Sequence, residues 1–473
     1  MRCSIRKAVH PVHIVLDYAM EFPVLNLRNN CKEKEYRHMK SILVTGLCTL
    51  HWGRLQYGNI GNYYIVEPLF RQLHKHFPDY KILTTFQMDE QFILKEDIEV
   101  LPMELYYAWN EEDVTNAYKD VEIAEKASNH VKCELTPWIK ALLNCEYVIN
   151  VSGDMWGDNA EHVGHKRFLV DCLKMKAAQI LHKKTILYAV TPGPFSDEEE
   201  RPLAKEVFNK FNLVLIREKV SLDNLMKWGF STEHVVWAPC PSFLFEANEN
   251  YKSEWTKSIE DSHAKKRKVI GMTFGGFNMP CGPYDMWPRA EEQYRVYVEL
   301  AEYVINVLRA DIVIFSHTNG FNLPPHFKLK CGRDYMILEQ FYHILLKRTP
   351  QYDEHIKLVD EPLLPCDIKK VIGGLDMLIT GRVHASVAAT SQCIPTVYIE
   401  YDRRVIYSDK MTGFSAQLGM EEFVCEPQNG EVLKEKVAEC FNNLDSVKIR
   451  LEEVIPVIKE EAQSAFEMIK EIK

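Results

Sequence analysis

Residues 377–390 read Met-Leu-Ile-Thr-Gly-Arg-Val-His-Ala-Ser-Val-Ala-Ala-Thr. Met377 to Thr380 is a short apolar run of the kind that forms a parallel strand buried on both faces. Gly381 permits a sharp turn, and Ala385 to Thr390 is a stretch of small residues that suits a short helix packed close to a sheet. A strand, a turn and a helix within so few residues make one unit of an open parallel sheet. In such sheets ligands bind beyond the carboxyl ends of the strands, which is where Arg382 and His384 fall. Unpaired N–H groups at a helix start attract anions, an arginine adds a two-pronged donor for phosphate or carboxylate, and a histidine passes protons near neutral pH. The same turn also fits a structural reading, with Arg382 paired to a carboxylate and His384 capping the helix. Taken alone, it leaves both open.

Working outward, the alternation repeats. Val269 to Phe274 is read as a strand before Gly275-Gly276, Glu291 to Leu308 as a helix, and Ile312 to Phe315 as a strand leading to Ser316-His317. Ile356 to Val359 and Val397 to Glu400 add strands, and Ile368 to Leu375 a helix. Further upstream, Ile42 to Thr45, Lys81 to Thr85, Tyr147 to Val151, Thr185 to Val190, Leu213 to Ile216 and Val235 to Trp237 are read as strands. Helical patterns separate them: Ile65, Leu69, Leu73 and Phe77 recur on one face after the Gly58-to-Asn62 loop, with Pro68 as a start or a kink. Phe168 to Leu181 and Leu203 to Phe211 follow, and Ser221 is placed to cap a short helix that Gly229 ends. An apolar strand is also expected at His13 to Leu16.

The expected fold is α/β, with two Rossmann-like domains whose parallel sheets face a cleft. The boundaries are an extension over residues 1–40, a first domain over 41–247, a polar linker over 248–268, a second domain over 269–430 and a helical tail over 431–473. In that tail Val454, Ile455, Ile458, Ala462, Ala465, Phe466 and Ile469 mark one apolar face.

Composition narrows the class. The chain has 473 residues, 46% hydrophobic and 26% charged, which excludes a disordered or collagen-like protein. Acidic residues outnumber basic ones, 67 to 57, for a net charge of -10, so no overall basic field recruits nucleic acid. The 13 cysteines are scattered without a C-x-x-C pair, which suggests buried thiols rather than a zinc ribbon or a disulfide scaffold. The N-terminus makes a poor signal peptide, and no apolar stretch is long enough for a membrane span. A cytoplasmic protein is expected.

The strand exits then supply candidate chemistry. Arg217 directly follows four apolar strand residues and can project into the cleft as an anion ligand or form a structural ion pair. His317 follows another strand as a donor or a cap. Gly58, Asn59, Gly61 and Asn62 form a glycine-rich loop that matches neither the dinucleotide nor the P-loop pattern, so it marks only a sharp turn or close backbone approach. Asp154 and Asp158 flank Trp156, and an acid beside an aromatic is typical of a sugar-binding edge; a surface turn reads equally well. Gly193, Gly275 and Gly276 line further exits. Tyr401, Asp402, Arg403 and Arg404 either close the cleft, bind a second anion or form a basic loop. No metal-ligand set is apparent.

These pieces, in order, resemble the polysaccharide pyruvyl transferase family: Gly58-Asn59-Ile60-Gly61, the Ser152-to-Asp158 loop, Gly193-Pro194-Phe195, and Arg217-Glu218 with Ser221. Pro239 to Phe243, Arg382-x-His384 with its small-residue helix and Tyr401-Asp402 complete the set, spanning roughly Ser41 to Thr412. The resemblance implies a glycosyltransferase-B-like architecture. It also implies transfer of a pyruvyl group from phosphoenolpyruvate, a donor substrate rather than a cofactor, to saccharide hydroxyls as a cyclic ketal, with release of phosphate. Carried over, Arg382 and Arg217 hold the donor, and His384 is the general acid that protonates its methylene. An acidic group, Asp158 ahead of Asp154, assists the attacking hydroxyl.

The acceptor would be a saccharide, nucleotide-sugar or lipid-linked sugar, placing the protein in the cytoplasm or at a membrane where glycan precursors are assembled. Whether it is a homo-oligomer stays open. The chain departs from the family pattern where Asn62 replaces an aspartate and Ala238 an acid, and the stretch from Phe86 to Cys145 lies outside the resemblance. A nucleotide-sugar-dependent glycosyltransferase on the same two-domain plan is the competing reading, and a non-catalytic carbohydrate-binding relative a third.

Overall fold

The computed structural model describes residues 40–47, 58–88, 90–279, 286–322, 328–401 and 409–472. The expected strand at His13 to Leu16 and the residues Asp402, Arg403 and Arg404 lie outside them. Lys40–Lys473 form one compact unit.

That unit holds two parallel sheets. The strands in chain order are β1 (Lys40–Thr45), β2 (Tyr80–Thr84), β3 (Ile98–Val100), β4 (Tyr147–Asn150), β5 (Lys184–Val190), β6 (Leu213–Ile216) and β7 (Val235–Trp237), followed by β8 (Val269–Thr273), β9 (Asp311–Ile314), the hairpin β10 (Asn319–Phe321) and β11 (Leu329–Cys331), β12 (Ile356–Leu358), β13 (Met377–Thr380), β14 (Thr396–Ile399) and β15 (Val424–Cys425). The first sheet runs β3-β2-β1-β4-β5-β6-β7 and the second β12-β9-β8-β13-β14-β15, every pairing parallel. Each sheet reverses its strand order near the middle, β1 against β4 and β8 against β13. Loops leaving these strands diverge and open a crevice. The fold is the expected pair of Rossmann-like halves.

Alternation in the strands sorts the core. Ile42 and Val44 face one side of the first sheet, where they join the second sheet's Ile270, Met272 and Ile379 in one continuous apolar cluster. Leu43, Val148, Leu187 and Val214 face the other side and form a separate cluster. The helical tail helps to join the halves. It breaks at Asn443 into Gly430–Asn442 and Leu444–Glu471; Phe466 of the second helix stacks on His76 at 5.7 Å and packs on Tyr188 at 5.6 Å. Among the described residues no helix is long and apolar enough to cross a membrane.

Several elements differ from expectation. The first helix begins at Ile60, inside the glycine-rich loop, because Asn59 caps it by accepting from the Gly61 N–H at 3.0 Å; Pro68 lies inside the helix rather than at its start. Ser221 is no cap: it sits in the first turn of Val220–Lys227 and donates back to Glu218. The polar segment 248–268, read as a linker with room for one helix, does hold one, Glu254–Ala264, whose start is a Ser253–Thr256 capping box. Glu112–Ser128, Pro137–Leu143, Arg333–Arg348 and Lys410–Ala416 are helices that the sequence reading passed over.

Candidate active site

The exits of β4, β5 and β6 from the first sheet meet those of β9, β13 and β14 from the second. Arg217, one residue past β6, is 2% exposed, and its Nε donates to Thr191 Oγ1 at 2.7 Å. Thr191 in turn donates to Glu218 Oε2 at 3.1 Å, so one hydroxyl holds both neighbouring side chains in place. The guanidinium also lies over Phe414, 5.6 Å from its ring centre. Beside it, Lys410 at the start of its helix forms an ion pair with Asp154 from the loop after β4, and its ammonium sits 4.5 Å from the Tyr401 ring centre. This pair spans the two halves.

His384 stands in the first turn of Val383–Thr390, partly buried, with Cys240 Sγ 3.8 Å from its Nε2. Gly61 explains itself here. A Cβ at that position would come within 2.2 Å of His384 Nδ1, so only glycine lets the first helix approach the imidazole. The Gly58-Asn59 loop is also stitched to the other half, Gly58 O accepting from the Asn319 N–H at 2.9 Å and Asn59 pairing with Thr318. His317 is 1% exposed, edge-on to Tyr64 at 5.3 Å. Arg382 forms a salt bridge with Asp334, which is 1% exposed at the start of Arg333–Arg348. Gly275 allows that approach, since its Cβ would meet Arg382 Nη2 and Asp334 Oδ1 at 2.7 Å. Gly276 begins a turn to Asn278, which braces Gly275 N and the carbonyls of Ile399 and Glu400.

The electrostatics follow from crowding several cations into a buried place. Burial, then Arg217, His317 and Lys410, push the His384 imidazole well below its ordinary value, and Asp154 only partly offsets them. His317 is pushed down to about 3 by burial and by Arg382. Burial pushes Asp154 up, but Lys410 and Arg217 outweigh it and hold the carboxyl well below the usual range. Glu218 moves the other way, to about 7, because burial exceeds the help it receives from Arg217, Ser221 and Thr191. The resting pocket therefore has an ionised aspartate and a neutral histidine. Each of its cations has a carboxyl partner, Lys410 with Asp154, Arg382 with Asp334 and Arg217 with Glu218 at 3.9 Å, and Arg217 is the least fully balanced because Glu218, at about 7, is only partly ionised near neutral pH.

The structure brings together Arg217, His384, Asp154, Gly61 and Tyr401, with His317 and Arg382 near enough to bias titration in the group. Asp158 is engaged elsewhere, accepting from the Ser196 backbone N–H at 2.6 Å and from its hydroxyl, so the two aspartates fall in the reverse of the expected order. Gly193 lies beside the Trp156 loop, its N–H donating to Trp156 O at 2.8 Å. Trp156 itself is fully buried among Phe168, Phe195, Phe208 and Phe230 and offers no sugar-binding face. Asn62 stands in the first helical turn, and Ala238 is buried in the core. Lys410, Glu218, Thr191, Asp334 and Cys240 were not singled out as site residues. Glu218 adjoined Arg217 in a recognised pair, but Lys410 follows no strand directly and carries no local signal.

Comparison with known proteins adds to this geometry. A family model described as polysaccharide pyruvyl transferase matches residues 59–403, which takes in the stretch from Phe86 to Cys145. The chain is similar to the amylovoran biosynthesis protein AmsJ of Erwinia amylovora, 22% identical over 389 residues that cover 79% of this chain and 86% of AmsJ. Among solved structures it is similar to Anabaena HepE in complex with UDP, with TM-score 0.54 and 11% identity, covering 91% of this chain and 100% of that one. It is also similar to the UDP-GlcNAc 2-epimerase of Neisseria meningitidis bound to UDP-GlcNAc, with TM-score 0.52 and 11% identity, covering 91% and 99%. At such identities the structural likeness speaks for the glycosyltransferase-B-like fold alone.

Proposed function

The chain belongs to the polysaccharide pyruvyl transferase family, and from that premise we propose that it transfers a pyruvyl group from phosphoenolpyruvate to hydroxyls of a saccharide, forming a ketal and releasing phosphate. One observation carries the reading: Arg217 and Lys410, buried cations from opposite halves, converge beside the imidazole of His384. A donor with a phosphate ester and a carboxylate on one carbon needs more than one cation and a proton source near its methylene.

In this reading Arg217, Lys410 and Arg382 hold the donor's two anionic groups. Their negative charge raises the imidazole from its depressed resting state, and His384 protonates the methylene carbon. C2 becomes an oxocarbenium centre that the first acceptor hydroxyl attacks. The neutral imidazole left behind takes that hydroxyl's proton, while Asp154, too acidic and too tightly paired to be a strong base, orients the acceptor. Phosphate then leaves, the second hydroxyl adds at C2 to close the ketal, and its proton departs with the phosphate. Two hydroxyl protons are lost and one is gained at carbon, so the sum balances.

The test is incubation with phosphoenolpyruvate and a panel of nucleotide-linked and lipid-linked sugars, following phosphate release and acceptor mass. Phosphate release with a mass gain of one pyruvate less one water is expected. Release of a nucleoside diphosphate from a nucleotide sugar, with no use of phosphoenolpyruvate, would establish the glycosyltransferase reading instead.

A further inference from the structure

Cys240 takes no part in the proposed transfer, yet it touches the residue that supplies the proton. Its Sγ lies 3.8 Å from Nε2 of His384, and it is fully buried. The backbone that carries it is stiff. Cys240 stands between Pro239 and Pro241, whose rings fix φ, and its carbonyl accepts from the Phe243 N–H at 3.1 Å where Pro241–Leu244 turns. Two other groups wall the imidazole, the Gly61 backbone beside Nδ1 and the Phe414 ring edge-on at 6.3 Å. Nδ1 itself has no hydrogen-bond partner among the described residues. His384 is only half-buried whereas Cys240 is wholly so, which puts the open part of the ring away from the thiol.

We propose that Cys240 is the positioning residue of His384: its sulfur accepts from Nε2–H throughout the cycle and leaves Nδ1 as the nitrogen that takes up a proton and passes it to the donor. The word donor rests on the pyruvyl reading; the contact does not. The hydrogen bond made by one ring nitrogen fixes the role of the other. At the transfer the Nδ1–H bond breaks with its electron pair staying on nitrogen, and the π pair of the donor's methylene forms the new C–H bond. Nδ1 is then bare for the acceptor hydroxyl's proton. The choice of sulfur matters. Burial pushes the Cys240 thiol up, and Arg217 and Ser242 pull it only part of the way back, so it stays neutral. A neutral, weak acceptor holds the ring without holding a charge on it. A carboxylate in its place would make a charge-assisted bond to the imidazolium and keep it protonated. Around the pair stand Arg217 and Glu218 after β6, Asp154 after β4, Tyr188 in β5, His317 after β9 and Lys410 on its helix. The first helix turns the uncharged Gly61 to the ring.

The test begins on the free full chain, with NMR of isotope-labelled histidine rings; the His384 signal is the one lost in His384→Gln. Wild type should show Nε2–H and a bare Nδ1. Cys240→Asp should raise the proton affinity of the imidazole about 10- to 1000-fold, as a carboxylate at this range does, and phosphoenolpyruvate should then bind with no proton uptake. Cys240→Val keeps the bulk and removes the acceptor. It should lower kcat about tenfold with KM for phosphoenolpyruvate nearly unchanged, and Cys240→Ser should recover most of that loss. These two variants also cover a failure of Cys240→Asp to fold. A resting Nδ1–H, an imidazole titration unmoved in Cys240→Asp, full turnover in Cys240→Val, or equal losses in Cys240→Val and Cys240→Ser would each overturn the assignment. Phosphate release is scored separately. If the ring signatures hold and no acceptor elicits release, the pyruvyl reading falls and the positioning of His384 stands. If release occurs and the Cys240 variants leave both turnover and titration unmoved, the reading stands and the role of Cys240 falls.

Discussion

At the scale of single residues, His384 and Arg382 occupy one turn but answer differently to the structural alternative. His384 caps nothing; it faces Gly61 and Cys240 in a field of cations that keeps it neutral at rest. A general acid that begins deprotonated must take up its proton as the donor's charge arrives. Binding of phosphoenolpyruvate should accordingly absorb a proton, and affinity should fall as pH rises through the raised value of the complex. Calorimetry in two buffers of different ionisation enthalpy reads this directly; identical heats in both would exclude it. His384→Ala should lower turnover by about 10²–10⁴-fold with the fold intact, the usual worth of a positioned acid. Arg382 does have the structural partner, Asp334. Arg382→Ala should therefore lose stability and donor affinity together, stranding a buried carboxylate at a cost of about 3–5 kcal/mol. Asp334→Asn should lose stability alone. Donor affinity unchanged in Arg382→Ala would leave that arginine purely structural.

Among elements, what the sequence disclosed depended on whether burial was apolar. The strands ending at Thr380, Ile216 and Asn150 are uninterrupted apolar runs, so their exits, and with them His384, Arg217 and Asp154, could be located. The helix Glu112–Ser128 was hidden because it buries polar residues: Asp113 pairs with Arg167, and Asp120 accepts from Lys174 at 2.7 Å, both partners on the helix Arg167–Ile180. The apolar stripe of Glu112–Ser128, Val114, Ala117, Val121 and Ala124, is made of small side chains and gives a weak signal beside these buried carboxylates. The same helix Arg167–Ile180 carries Asp171, which accepts from Tyr106 and, at 2.8 Å, from Asn150 at the end of β4; Asn150 Oδ1 accepts from Ser152 Oγ at 2.5 Å. This chain fixes the start of the Asp154 loop. Burial raises Asp171 to about 7 despite both bonds, so its ionised form is disfavoured in the fold. Its folded value exceeds the ordinary one of about 3.9, the native state holds the extra proton in between, and stability from this group is lost as pH rises through that window. Asp171→Asn keeps both acceptor bonds without the charge. Relative to wild type it should be less sensitive to pH, gaining between about pH 4 and pH 7. Urea denaturation at either end measures the difference, and a constant gap across the window would contradict it.

For the whole molecule, the decisive contact joins parts of the chain that are far apart in sequence. Lys410 and Asp154 belong to different halves, and their pairing depends on the helix Lys410–Ala416 lying against the first sheet's exits, where Gly413 leaves room for the Glu218 side chain. No spacing or periodicity near either residue announces it, which is why Lys410 escaped notice while the arginines did not. The pair serves stability and binding in separable ways. Lys410 is 6% exposed, and burial pulls its ammonium down until Asp154 outweighs it. Removing either partner strands a charge, and Lys410→Met or Asp154→Asn alone should cost about 3–5 kcal/mol. Removing both strands none, so Lys410→Met/Asp154→Asn should be clearly more stable than the sum of the single losses predicts. Donor binding follows a different rule. It needs the cation itself, so phosphoenolpyruvate affinity should be weak in Lys410→Met and stay weak in the double variant, whose stability has recovered. Chemical denaturation and donor titration on the same three proteins separate the two roles. If the double variant regained donor affinity with stability, Lys410 would be a brace between the halves and not a ligand for the donor. If its losses were simply additive, the pair would contribute nothing as a pair, and the cation cluster would have to hold together without it.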